Sequence, residues 1–396
     1  MHIGFLLSHD GAHQVAHALP IALALARQRS DVLVEVFFAE GAVGQEVRRL
    51  AAKSGLPGNC RLAPLEGPSL GSRIATRALG NAVPFNRISM LKRNVERFRQ
   101  LTALAVPEKT ALMLKTRFGL SDLRMIHTRH GAGDRAVGFD KASGMFDYVL
   151  LSGAKVRDRL QAAGHLRPGR HATIGYPKFD LLDQAEHAPL FDNDRPTVLY
   201  NPHSAAGLSS WFGMGLQVLE YFAESRAYNL IFAPHVMLFA KRLSLSLSPP
   251  SMAWVGDIPA RYRSLPHILI DTGSQASVDM RYTMAADIYL GDASSQVYEF
   301  LARPRPCIFL DAHEQQWADN PDFAHWAAGP VIDDVAMLDR ALRDAVEKPN
   351  AFRDVQRSLF RYSFDLTPIP SADRAALAIV AYLEPGAAPP AAKLAA

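Results

Sequence analysis

The sequence predicts an α/β protein built from two doubly wound domains that face each other across a cleft. Three observations carry that prediction. Short apolar runs alternate with helix-like segments from the first residues onward, the signature of parallel strands joined by helices. The alternation pauses at a polar, proline-bearing stretch, "DQAEHAPLFDNDRP", and then restarts. The chain of 396 residues also exceeds what one hydrophobic core usually holds.

The elements follow in order. "IGFLLS" is the first strand and "HDGAH" a polar turn. "QVAHALPIALALARQ" is the first helix, not a signal peptide, because no Lys/Arg-bearing segment precedes its apolar core. "DVLVEVFFAE" is a buried strand, and "GQEVRRLAAKSG" a helix closed by Gly55 with Pro57 behind it. Strands are then expected at 101–108, 123–128, 146–153 and 170–177. In the second half they are expected in "TVLYNPH", "NLIFAPH", "HILIDTG", "AADIYLGDASS" and "PCIFLD". "MGLQVLEYFAES" and "QVYEFLA" supply helices there, and "SADRAALAIVAYLE" is a last helix. The expected limits are 1–186 for the first domain, 187–362 for the second and 363–385 for the C-terminal helix. The Pro/Ala-rich tail 386–396 is expected to be disordered.

Residues 70–100 interrupt the first domain as a basic insertion with Arg73, Arg77, Arg87, Lys92, Arg93, Arg97 and Arg99 among apolar residues. Two readings stand: solvated amphipathic helices, or a basic face that meets an anionic membrane or polyanionic acceptor.

Composition narrows the function. Hydrophobic residues at 48% and charged residues at 21% are those of a folded globular protein. Mean hydropathy of −0.02 excludes a polytopic membrane protein, and no apolar run approaches the roughly 20 residues of a membrane span. The net charge of +4 is too mild to argue for nucleic acid but suits an anionic substrate. Cys60 and Cys307 lie far apart, so neither a disulfide framework nor a metal site is expected. The expected location is cytoplasmic, with peripheral attachment at the inner face of the plasma membrane left open.

In open parallel sheets ligands bind beyond the carboxyl ends of the strands. Five loops qualify. "GDASSQVYEFLA" puts Asp292, Ser294 and Ser295 at the start of a helix, as a phosphate cradle or an ordinary N-cap. Glu299 shares a helical face with Ser295, either as a ribose ligand or as an exposed carboxylate. "FAPHVMLF" ends a strand with Pro234 and His235, and "YNPHSAAG" does so with His203. "IGYPKFDLL" carries Lys178 and Asp180 after a tight turn. In "MIHTRHGAGDRAVGF" His130 follows a strand, and Gly131 and Gly133 allow a sharp turn. Arg129 and Arg135 supply charge for phosphate there, and Asp134 a carboxylate to orient an imidazole. No GxGxxG follows the first strand and no P-loop, HExxH or GxSxG motif occurs, which disfavours nicotinamide, P-loop, metalloprotease and serine-hydrolase chemistry.

The order His-Gly, Gly-Tyr-Pro-x-x-Asp, Pro-His and "ADIYLGDASSQVYEF" resembles the CDP-glycerol glycerophosphotransferases, the teichoic acid primases and polymerases. These have a GT-B fold of two Rossmann-like domains. The resemblance spans about residues 120–312. It implies that His130 is the base that deprotonates the acceptor hydroxyl. His235 and Pro234 would lie near the donor phosphates, Ser294, Ser295 and Asp292 would hold the pyrophosphate, and Glu299 would approach the ribose. Gly131 and Lys178 complete the donor set. The family's His-Gly-Thr-Pro-Leu-Lys reads "HGAGDR" here, so Arg135 stands in place of the lysine as a third catalytic residue. The implied reaction transfers a polyol phosphate from a CDP-linked donor to a hydroxyl of a cell-surface glycan or lipid-linked acceptor, releasing CMP. A GT-B glycosyltransferase or a UDP-sugar 2-epimerase is the alternative, and a nucleotide-binding sensor the third reading. No resident cofactor is expected, with Mg²⁺ only as a companion of the donor diphosphate.

Overall fold

A computed structural model describes residues 1–9, 11–79, 84–182, 189–240, 242–247 and 250–385. The tail 386–396, residues 80–83 of the basic insertion and residues 183–188 of the inter-domain stretch lie outside the described residues. The chain divides into two compact units. The first comprises Met1–Gly131, Val137–Leu182 and the chain from Tyr362; the second comprises Ala132–Ala136 and the chain after Leu182 up to Arg361.

In the first unit seven strands form one parallel sheet: β1 (His2–Leu7), β2 (Leu33–Phe38), β3 (Cys60–Pro64), β4 (Ala103–Val106), β5 (Arg124–His127), β6 (Tyr148–Leu151) and β7 (His171–Thr173). Their order is β3-β2-β1-β4-β5-β6-β7. The central strands are buried on both faces and so read as unbroken apolar runs. The helix Val15–Gln28 covers one face with Ala18, Leu19, Ala22 and Leu25 fully buried, and Ala42–Ser54 adds Val43, Val47 and Leu50. The other face holds Met90, Leu91 and Phe98 from the basic insertion, which is helical at Leu70–Leu79, Phe85–Arg93 and Val95–Arg99.

The second unit repeats the plan. Its strands are β8 (Thr197–Asn201), β9 (Asn229–Phe232), β10 (Leu243–Leu247), β11 (Pro250–Trp254), β12 (Ile268–Ile270), β13 (Ile288–Gly291), β14 (Cys307–Leu310) and β15 (Val331–Ile332). Six of them make a parallel sheet in the order β12-β9-β8-β13-β14-β15, while β10 and β11 pair as a separate antiparallel hairpin. The helix Trp211–Glu224 buries Val218, Leu219 and Phe222 against this sheet.

The last helix, Ser371–Leu383, belongs to the first unit. Ala375, Ala376 and Ile379 are fully buried in the same core as Ile3 and Leu19. Its N-terminus is held by Asp180, whose two carboxylate oxygens accept from the amides of Ser371 (3.0 Å) and Ala372 (2.7 Å). Tyr176 N adds a bond to Ser371 Oγ at 3.0 Å. The "GYPKFD" turn therefore works in part as a remote cap for a helix 191 residues away. Asp180→Ala is expected to lower the unfolding free energy by about 1–2 kcal/mol, read by urea denaturation, with Asp180→Asn recovering part of the loss.

Candidate functional site

In each sheet the strand order reverses direction once, between β1 and β4 in the first and between β8 and β13 in the second. The loops leaving the carboxyl ends of those strands diverge, and the crevice they leave is where open sheets bind ligands.

At the first switch point the segment after β1 brings Ser8 and Gln14, the segment after β4 brings Pro107 and Glu108, and the segment after β5 brings His130. His130 Nδ1 lies 2.6 Å from the Pro107 carbonyl oxygen, so the ring proton sits on Nδ1 and Nε2 keeps its lone pair. Gln14 Nε2 reaches that atom at 3.4 Å. The ring keeps a solvent-facing edge, yet the crowding protein around it desolvates the imidazole and lowers its pKa, against the bond to Pro107. His130 is thus a neutral base with a defined tautomer. Arg129 (φ 61°) and Gly131 (φ 68°) both take left-handed conformations, which throw His130 outward between them.

Glu108 is buried and engaged by three donors. It accepts from Ser8 Oγ (3.2 Å) and Thr110 N (2.8 Å) and pairs with Arg87 Nη1 (3.3 Å). Arg87 comes from the basic insertion, so this side chain faces neither solvent nor a surface partner. Arg129 does not serve as an exposed phosphate ligand either. Its Nη2 donates to Gly138 O at 3.0 Å, its guanidinium lies over Phe139, and burial pushes its pKa down to about 10. Lys178 is buried on this first unit, where its charge helps to depress His17; it does not belong to the unit that carries the serines.

At the second switch point Pro202-His203 follow β8, and Pro234-His235 lie just beyond the end of the adjacent β9. Each imidazole accepts on Nδ1 from the amide two residues on, Ala205 N at 3.0 Å and Met237 N at 3.3 Å. Both rings therefore carry their proton on Nε2, a donor suited to phosphate oxygen. Their centroids lie 5.7 Å apart, and His235 N donates to Pro202 O. Burial depresses His203 well below the usual imidazole range, helped by His235, Arg135 and His325. Arg135 is half-buried beside Asp322 and stands with His203, not with His130.

Asp292 supports this edge from beneath. It is fully buried, with Oδ1 accepting from His203 N (2.9 Å) and Oδ2 from Ser210 N (2.6 Å) and Ser210 Oγ (2.9 Å). It fixes the loop that carries His203, and burial pushes its carboxyl up to about 6. Ser294 is buried; its Oγ accepts a long bond from Gln296 N (3.5 Å) and its side chain also hydrogen-bonds Tyr289, while Ser295 makes no capping bond. The helix they start, Gln296–Phe300, has five residues. Gly133 closes on it: a Cβ there would lie 3.0 Å from Ser295 Cβ. Glu299 is buried rather than solvated.

The imidazole that Asp134 orients is that of His325. Buried Asp134 accepts from Tyr298 Oη on both oxygens (2.7 and 2.8 Å) and from His325 N (3.0 Å) and Nδ1 (2.8 Å). His325 Nε2 and Trp326 Nε1 in turn reach the Asp292 carbonyl oxygen. The sequence reading missed Gln14, Glu108 and His325, and took Tyr298 only as part of the "VYEF" motif. Only the repeated Pro-His at two strand ends offered a readable signal for pairing His203 with His235.

No protein-family model matches the chain, and no curated protein matches it in sequence. Solved structures do. The chain is similar to a candidate UDP-N-acetylglucosamine 2-epimerase from Listeria monocytogenes, with TM-score 0.64 and 12% identity over 97% of both chains. It is similar to the UDP-GlcNAc 2-epimerase from Neisseria meningitidis bound to UDP-GlcNAc, with TM-score 0.54 and 10% identity over 97% of this chain and 99% of that one. It is also similar to the wall teichoic acid polymerase TagF, with TM-score 0.55 and 14% identity over 91% of this chain and 83% of that one. The fold is accordingly of GT-B type, with two Rossmann-like domains. Among the described residues no helix is long and apolar enough to cross a membrane, and no cluster of three or more His, Cys, Asp or Glu side chains could hold a metal.

Two outcomes are expected of the buried carboxylates. Asp134→Ala strands the donors of Tyr298 and His325 and should cost about 3–5 kcal/mol in urea unfolding. Asp292 holds its proton more tightly folded than unfolded, so its contribution to stability is present below about pH 4 and lost as the pH rises to about 6. The stability of the wild type relative to Asp292→Asn should therefore fall by about 3 kcal/mol across that window in unfolding curves measured at stepped pH.

Proposed function

We propose that the protein is a GT-B transferase that moves a polyol phosphate from a CDP-linked donor to an acceptor hydroxyl in cell-envelope polysaccharide synthesis. The observation that carries this reading is His130 at the first switch point. Its Nδ1 is tied to Pro107 O, which leaves the lone pair on Nε2, and desolvation by the protein around it lowers the ring's pKa and so favours the neutral form. An imidazole base suits a hydroxyl proton. The carboxylate nearby, Glu108, is engaged by Ser8, Thr110 and the Arg87 guanidinium, a cation that makes it a weaker base than the imidazole.

In the reaction His130 Nε2 takes the proton of the acceptor O–H while that oxygen bonds to the donor's β-phosphorus. The bond from this phosphorus to the bridging oxygen breaks, and CMP departs with the electron pair. The groups of the second unit suit the donor. His203 and His235 offer Nε2–H donors, Arg135 a cation, and Ser294 and Ser295 hydroxyls and amides, all of which favour the charge gathered on transferring and leaving phosphates. Glu299 is assigned to the ribose, and Lys178 stays with the first unit. Mg²⁺ would arrive with the diphosphate. The acceptor is a glycan or lipid-linked hydroxyl at the inner face of the membrane.

A second reading, a UDP-sugar 2-epimerase, is favoured by the similarity to the two epimerase structures. The products separate the two. Incubation with a panel of CDP- and UDP-linked donors should yield CMP from a CDP-polyol; a UDP-sugar returned as its C2 epimer with no net release of nucleotide would replace the first reading with the second. His130→Ala should lower turnover by about 10²–10⁴-fold with nucleotide binding retained. Undiminished turnover in that variant ends the assignment of the base.

A further inference from the structure

Beside His130 lies the amide of Gln14, on the turn between β1 and the helix Val15–Gln28. Gln14 is 2% exposed, and its Nε2 meets His130 Nε2 at 3.4 Å. Its Oε1 is buried and has no hydrogen-bond partner. Buried acceptors without partners are rare in folded proteins and call for a reason.

The chemistry of the pair supplies one. With Nδ1 tied to Pro107 O, every proton that His130 gains or loses passes through Nε2. In the neutral ring that atom is an acceptor and needs a donor; in the imidazolium it is a donor and needs an acceptor. A primary amide carries both, on arms of nearly equal size, and its terminal torsion is broad and two-fold. Half a turn about that torsion would place Oε1 where Nε2 now stands. Because Oε1 holds no bond, the rotation breaks none beyond the one it replaces.

We propose that Gln14 is the positioning residue of His130: its amide turns over to follow the proton on Nε2 and holds the ring in one orientation through both states of the transfer. This rests on the reading of His130 as the base. The long bond is weak enough for an acceptor hydroxyl to displace when it approaches the exposed edge of the ring. The titratable and charged groups that bear on His130 are Arg129 and Lys109, which oppose its protonation, Glu108, which favours it, and the rings of His13, His17 and His127. None of them donates in one charge state and accepts in the other at the Nε2 atom, which leaves that task to Gln14.

The test needs no substrate and uses the full chain. In ¹⁵N-labelled protein the Gln14 side-chain NH₂ signals and the His130 ring nitrogens are followed between about pH 4.5 and 8.5, a window that spans histidine titration. The Gln14 signals are expected to titrate with the His130 midpoint, and to stop doing so in His130→Phe. Gln14→Glu, a fixed and charged acceptor, should raise the proton affinity of His130 about tenfold or more. Gln14→Met, with neither arm, should lower kcat with CDP-glycerol while leaving KM for that donor unchanged. Gln14 signals that stand still through the His130 titration overturn the proposal, as does a His130 midpoint unmoved by Gln14→Glu. If wild-type protein does not turn over CDP-glycerol, the transferase reading fails alone, and the two titrations still decide the role of Gln14.

Discussion

The arrangement depends on one topological constraint, met twice. Each sheet starts with a strand in its middle, runs outward through two more, and then returns to the other side of the first strand. Right-handed crossovers allow this only if connections leave opposite faces on the two sides of the starting strand. No helix then bridges the gap at the carboxyl ends of β1 and β4, or of β8 and β13. The polar residues of this chain that follow apolar strands collect at those gaps: Gln14, Glu108 and His130 in the first unit, and His203, His235 and Asp292 in the second. Neither set is built from neighbours in sequence, and each is brought together by strand order alone.

Within each set the acids and the bases take different work. The buried carboxylates are filled with donors: Glu108 by Ser8, Thr110 and Arg87, Asp292 by His203 N and Ser210, and Asp134 by Tyr298 and His325. Carboxylates engaged in this way fix the loops that carry them. What remains for chemistry is neutral or positive: an imidazole lone pair in the first unit, two imidazole N–H donors and a guanidinium in the second. Such groups suit anionic ligands, in line with a chain whose net charge is +4.

The strands were legible because central parallel strands are buried on both faces and cannot hide among polar residues. β3 and β15 were not: β3 has two exposed residues among its five, and β15 is two residues long. Strand β10 alternates Leu with Ser, and its partner β11 reads Pro-Ser-Met-Ala-Trp, so the hairpin resembles a polar loop in one dimension. The loops at the carboxyl edges were legible for the same topological reason, and His130, His235 and Asp292 do follow strands beside the two switch points. Their partners were not, since Asp134 and His325 are separated by 191 residues and no local pattern links them. The return of the final helix to the first unit was equally hidden, because the apolar face of Ser371–Leu383 does not reveal which core it completes.

The segment "RHGAGDR" shows why its composition departs from the pattern it resembles. Gly131 takes φ 68°, a conformation in which most side chains are strained, and the chain then crosses into the second unit for five residues, Ala132–Ala136. Where the related pattern has proline, Gly133 lies so close to Ser295 that a Cβ would sit 3.0 Å from that residue's own. Where the pattern has leucine, Asp134 is buried, a position that an acid occupies only if donors surround it. Tyr298 and His325 are those donors, so the acid, the phenol and the imidazole make sense only as a set. Arg135 completes the change, since the carboxylate before it is already spent and its own charge reaches His203 instead. Residues 133–135 are thus explained together: each suits a partner within the second unit, Ser295 for Gly133, Tyr298 and His325 for Asp134, and His203 for Arg135.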